Sequence, residues 1–187
     1  MPTDNIIKKC RMDYIDIYRA FGIILMVMGH IGFGGKFDKF IHAFHMPMFF
    51  FVSGFFYRKD GRRTFEYIKK KAKSLLVPYL FWELVHYFVF LNLNGFSIGP
   101  LLRLMAINTD GLPIAGALWF LTALFFSNII YFLLDRKKIK WMIFPLIIIG
   151  SFSDQILPYP LPWALSPAFV GLGLCWIGEM TRKYENR

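Results

Sequence analysis

Arg19-Ala20-Phe21-Gly22-Ile23-Ile24-Leu25-Met26-Val27-Met28-Gly29-His30 is the stretch that decides the fold. No charged residue stands between its arginine and its histidine. The surrounding segment Ile15–Phe33 approaches the length of about 20 mostly apolar residues that a helix needs to cross a bilayer core. It is longer than the core of a cleavable signal peptide, and no small-residue cleavage site follows. It therefore reads as a first, retained membrane span.

Five more segments share this character: Phe40–Tyr57, Leu75–Leu93, Ala115–Leu134, Trp141–Leu157 and Pro162–Met180. The second and fifth spans are the shortest. The expected fold is all-α, a polytopic membrane bundle of about six transmembrane helices forming one domain over residues 1–187. The composition agrees, with 56% hydrophobic and 19% aromatic residues, against about 45–50% apolar in a typical soluble domain.

The loops test this division independently. Lys8, Lys9, Arg11 and Arg19 precede or open the first span. Eight basic residues, from Arg58 to Lys73, follow the second. Arg136, Lys137, Lys138 and Lys140 follow the fourth, and Arg182, Lys183 and Arg187 follow the sixth. The opposite side holds only Lys36, Lys39 and Arg103. Cytoplasmic loops are rich in Lys and Arg, so both termini are expected in the cytoplasm and the chain in the cell (plasma or inner) membrane. The net charge of +10 is then a topology signal facing membrane lipid, and no nucleic-acid partner is expected. Lys69–Lys73 reads as a basic interfacial helix feeding span three. Leu101–Met105, in the outer loop, reads as an apolar patch resting on the membrane surface. Cys10 and Cys175 show no disulfide or zinc spacing.

Ionisable residues within spans are costly to bury and are functional candidates for that reason. Here they are Asp16, Arg19, His30, His42, His45, Glu83 and His86. Arg19 and His30 are eleven residues apart, about three turns and about 16 Å along one helix face. An arginine suits phosphate or carboxylate, and a histidine can take and return a proton. They could hold two ends of a long anionic ligand, or be a snorkelling cation and a packed imidazole. Pro47 should kink or break span two. His42 and His45 are one turn apart, but no third ligand stands at a metal spacing, and no metal is expected. Ser53-Gly54 reads as a helix-packing point more readily than a nucleophile. Glu83 and His86, three apart, could pair with each other and stay buried. Trp119 reads as an interfacial aromatic.

Four strings stand in order along the chain: Asp16-Ile17-Tyr18-Arg19-Ala20-Phe21-Gly22 leading to Gly29-His30, Phe44–Phe56 (FHMPMFFFVSGFF), Leu76-Val77-Pro78-Tyr79, and Leu118–Leu121 (LWFL). Together they resemble the membrane acyltransferase-3 family, closest to its fucose 4-O-acetylase-like branch. Leu161–Leu165 resembles a later span of that family. The resemblance implies O-acyl transfer, usually of acetyl, from cytoplasmic acetyl-CoA to a glycan or lipid-linked sugar, with no permanently bound cofactor. It places the family's histidine on His30, its arginine on Arg19 and its second-span histidine on His45. His30 and His45 are thereby the catalytic candidates, and Arg19 and Asp16 the donor-binding ones. His42, Ser53, Glu83 and Trp119 are supporting candidates.

The family usually runs several spans longer. The chain is thus expected to be a shortened member, covering the N-terminal part of the family fold, with a homo-oligomer or a second-half subunit as partner. A small transporter-like bundle and a non-catalytic membrane subunit are the alternatives. The family strings and the lack of an internal repeat favour the acyltransferase.

Overall fold

The computed structural model describes residues 13–58, 61, 63–95, 98–99, 118–158 and 161–185. Among them it contains six long α-helices: α1 (Asp13–Ile31), α2 (Gly35–Phe55), α3 (Thr64–Asn94), α4 (Trp119–Arg136), α5 (Ile143–Ile156) and α6 (Leu165–Glu185). Short 3-10 turns, Lys140–Met142 and Pro162–Ala164, lead into α5 and α6. The Leu101–Met105 patch and Cys10 lie outside the described residues.

α1, α3, α4 and the segment Pro162–Glu185 are long and apolar enough to cross a membrane. The apolar helix over Lys140–Ser153 is shorter. α2, whose first half carries Lys36, Asp38, Lys39, His42 and His45, is not among the four. The expected all-α polytopic membrane bundle of about six helices is what the described residues form, four of the helices being long and apolar enough to cross and the expected second and fifth spans falling short.

Two boundaries also differ from expectation. The interfacial segment Lys69–Lys73 and span three form one continuous helix of 31 residues. Lys, Glu, Leu and Ala favour helix over its early turns, and the helix runs on through Pro78. At 1.5 Å per residue α3 is about 46 Å long, well beyond a hydrocarbon core of about 30 Å. The expected break at Pro47 is absent, since α2 runs through it. Pro47 removes only the amide hydrogen that would serve the Ala43 carbonyl, and its ring keeps a helical φ.

The chain divides into two compact units, 1–49 and 50–187. In the first, Leu25 of α1 packs with Ile41 and Met48 of α2, flanked by Tyr18 and Met28. Gly32, Gly34 and Gly35 all take positive φ, at 76°, 82° and 66°. Residues with a Cβ avoid that region, so the glycines permit the tight α1–α2 turn. The Asp38 carboxylate closes it by accepting the amide hydrogens of Phe33 (2.9 Å) and Gly34 (2.8 Å).

The second unit is held by close helix approach. A Cβ on Gly54 would collide with the backbone of Cys175, and one on Gly178 with the Phe51 carbonyl. Ser53-Gly54 is thus a packing point against α6, as its sequence suggested. Around it lies an apolar core that includes Phe50, Ala123, Phe125, Phe132, Leu172 and Cys175. Tyr67 stacks on Phe132 with ring centroids 4.1 Å apart.

One end of this unit carries a charge-balanced network. Lys140 reaches Asp135 at 2.9 Å and Glu179 at 2.5 Å. Lys183 bridges the other oxygen of Glu179 at 2.8 Å. Tyr57 donates to Asp135 (2.8 Å), and Tyr131 donates to Glu179. Both carboxylates of this network are paired and hydrogen-bonded, which is the condition for burying charge at tolerable cost.

Candidate active site

The candidate residues nearest the N-terminus are set by two helices of the first unit. α1 carries Asp16, Arg19 and His30, and α2 carries His42 and His45. Arg19 Nη1 lies 3.7 Å from Asp16 Oδ1, one turn back on the same helix. Both side chains are partly exposed. Arg19 and His30 are both solvent-accessible on α1, in keeping with a shared face.

The three histidines share one local arrangement. His30 Nδ1 is 2.7 Å from the Met26 carbonyl, His42 Nδ1 is 2.8 Å from that of Asp38, and His45 Nδ1 is 2.8 Å from that of Ile41. A carbonyl oxygen only accepts, so each Nδ1 carries the hydrogen and donates. In the neutral ring Nε2 then holds the lone pair. The helix geometry alone produces this: a side chain at position i leans back over the turn that ends in carbonyl i−4.

Their surroundings differ. His30 and His42 are exposed, and His45 is buried at 2%. The rings of His42 and His45 meet edge to face, 5.3 Å apart. Gly29, beside His30, leaves room for His42. A Cβ there would stand 3.3 Å from His42 Cε1.

The remaining candidates belong to the second unit. Ser53 donates to Asn128 Oδ1 at 2.7 Å, and Lys71 donates to the same oxygen at 2.7 Å. The hydroxyl hydrogen of Ser53 thus goes to an amide rather than to a base. Trp119 opens α4, and its carbonyl accepts from Thr122 at 2.8 Å.

Glu83 and His86 do not pair, contrary to expectation. Both Glu83 carboxylate oxygens and His86 Nδ1 are buried without a hydrogen-bond partner among the described residues. Three positions on one helix bring Cβ atoms close, but proximity of the backbone sites does not oblige the side chains to turn toward each other.

Among the described residues no group of three or more His, Cys, Asp or Glu could hold a metal ion. Sequence reasoning missed Lys71, Asn128, Asp135 and Lys140 as members of buried polar clusters. Asn128 gave a signal, as an amide inside the apolar run Leu124–Leu134. The lysines gave none, because they sit among other lysines that face water.

Helices of this length and apolarity, with ionisable side chains carried inside them, define a polytopic membrane protein. The profile of an acyltransferase domain, the acyltransferase-3 family, matches residues 12–186, and the chain belongs to that family. It is a membrane acyltransferase. Comparison with curated proteins and with solved structures gives no match.

Proposed function

We propose that the protein is an O-acetyltransferase that moves an acetyl group from cytoplasmic acetyl-CoA to a hydroxyl of a cell-surface or lipid-linked sugar, as in the fucose 4-O-acetylase-like branch of its family. The single observation that carries this is the His30 imidazole. It is accessible, and its Nδ1 is tied to the Met26 carbonyl at 2.7 Å, which leaves Nε2 as the base.

In this reading Nε2 of His30 takes the proton of the acceptor hydroxyl as its oxygen attacks the thioester carbonyl. The tetrahedral intermediate collapses with loss of the carbon–sulfur bond. The leaving thiolate takes the proton back from His30, giving the ester and free CoA. His45, buried and tied to the Ile41 carbonyl, orients the imidazoles beside it; donating to the tetrahedral oxyanion requires its imidazolium form, since the neutral ring has its lone pair at Nε2. Arg19, steadied by Asp16, holds phosphate of the donor. His42, on the same unit and edge to face with His45, supports the site. Both termini are cytoplasmic in this scheme, and the basic residues between α2 and α3 face the anionic leaflet of the plasma membrane.

The test is CoA release by the purified chain in lipid nanodiscs with a mixed pool of sugar acceptors. Release should vanish with His30→Ala, and Arg19→Ala should raise KM for the donor. Donor binding without release would point to a partner that completes the enzyme. Neither binding nor release would leave a non-catalytic membrane subunit.

A further inference from the structure

Lys36 and Lys39 stand one turn apart at the start of α2, and both are exposed. Neither forms an ion pair among the described residues. Asp38, the acid between them, turns its two oxygens to the amide hydrogens of Phe33 (2.9 Å) and Gly34 (2.8 Å) instead. The turn therefore carries two cations against one acid. In the orientation proposed above it faces outward. Membrane proteins place few cations on that side, and this chain has only Arg103 there besides. Attraction to the anionic cytoplasmic leaflet does not account for lysines at the opposite face.

These cations lie beside the histidines. Lys39 precedes His42 by three positions, so the two are within about 60° of each other around α2 and about 4.5 Å apart along it. His42 is level with the last turn of α1, because a Cβ on Gly29 would stand 3.3 Å from its Cε1 and 3.6 Å from its Nε2. His30 follows Gly29 and is exposed. His42 Nδ1 gives its hydrogen to the Asp38 carbonyl, so the residue whose carboxylate closes the turn also fixes this ring. Lys36 extends the positive patch by one more turn. Lysine carries its charge on a flexible stem, long enough to cover a neighbouring turn. All of these groups belong to one compact unit, residues 1–49. A sugar acid has the matching layout, a reactive hydroxyl and a fixed negative charge separated by about the height of one helical turn, roughly 5 Å.

We infer that Lys36 and Lys39 bind an anionic group, a carboxylate or a phosphate ester, on the acceptor sugar, so that the preferred acceptor is an acidic sugar rather than a neutral one. The site rests on the O-acetyltransferase reading above and adds a determinant of acceptor choice beside His30. It carries no bond-making step.

The test uses the full chain in phosphatidylcholine nanodiscs, with acetyl-labelled acetyl-CoA and a pool of neutral sugars, uronic acids and sugar phosphates. Anion exchange then separates the labelled products. Label should enter acidic sugars with kcat/KM about tenfold above that for neutral ones, and comparing uronic acids with sugar phosphates tells which acid is held. The double variant Lys36→Gln with Lys39→Gln changes only exposed side chains. It should bring the preference to within about twofold, whereas Lys36→Arg with Lys39→Arg should keep it. The wild-type preference should also shrink between about 0.1 M and 1 M salt, as the screening length falls from about 10 Å to about 3 Å. Label confined to neutral sugars, or a preference that the glutamine pair leaves intact, overturns the site while leaving the acetyltransferase reading standing. A loss in the glutamine pair that appears only when phosphatidylglycerol is added, and equally for acidic and neutral sugars, also overturns it, by assigning the lysines to lipid phosphate. Absence of label from every sugar removes both readings together.

Discussion

The imidazole of His42 lies where a side chain on Gly29, the residue that precedes His30 on α1, would begin. A methyl group added at Gly29 would stand 3.3 Å from both His42 Cε1 and Ile41 Cγ2. Helix propensity would favour alanine there by about 1 kcal/mol, so glycine holds the position for its lack of volume. Gly29→Ala should leave Tm within a few degrees of wild type, as propensity and crowding offset. It should lower acetyl transfer roughly threefold to tenfold, because a shift of even 1 Å at a reacting group can cost about a hundredfold. Steady-state CoA release together with a thermal melt would separate the two effects.

His30 and His45 should divide along the line of burial. His30→Ala removes an exposed ring and should leave Tm essentially unchanged while reducing turnover by about 100-fold or more, the usual contribution of a general base. His45→Ala empties a buried position and should cost about 2 kcal/mol of stability in addition to activity. Detergent-phase unfolding and CoA release on the same preparations would check both.

Gly54 and Gly178 lie where α2 and α6 approach backbone to backbone. Alanine at either position has no flexible neighbour to displace. Each substitution should destabilise by about 3 kcal/mol or more, at the upper end of overpacking costs, and should reduce the yield of monodisperse protein. By contrast, Gly61→Ala, with nothing within 4 Å of its new Cβ, should be silent by the same size-exclusion assay.

Lys140 and Lys183 both bind Glu179 but differ in exposure, at 23% and 59%. Lys140→Ala removes the cation that Asp135 and Glu179 share, leaving Glu179 with Lys183 and each carboxylate with a tyrosine donor, and should cost about 2 kcal/mol. Lys183→Ala should cost under about 1 kcal/mol, as expected for an exposed pair. Equal losses in the two unfolding curves would contradict the network described.

Much of the architecture can be read from local pattern. Apolar length places α1, α3, α4 and α6, and the spacing of Arg19 and His30 puts both on one face. The same pattern misjudges places where tertiary packing overrides a local rule. Pro47 stays inside α2, and Lys69–Lys73 is the start of α3 rather than a separate segment. Pairings such as Tyr57 with Asp135, or Ser53 with Asn128, join residues more than seventy positions apart. No periodicity announces them, since they depend on how helices meet. Glu83 and His86 show the converse, for their spacing permits a pair that the side chains do not form.

The Lys140 network also alters the electrostatic face of the protein. Lys140 and Lys183 are neutralised by Asp135 and Glu179, so basic residues counted near the ends of α4 and α6 overstate the charge available to lipid headgroups. In the scheme proposed above, attraction to an anionic leaflet falls mainly on the early turns of α3, where Lys69, Lys70 and Lys73 are exposed. Raising salt should therefore loosen the start of α3 from the bilayer surface well before it disturbs the opposite side of the bundle.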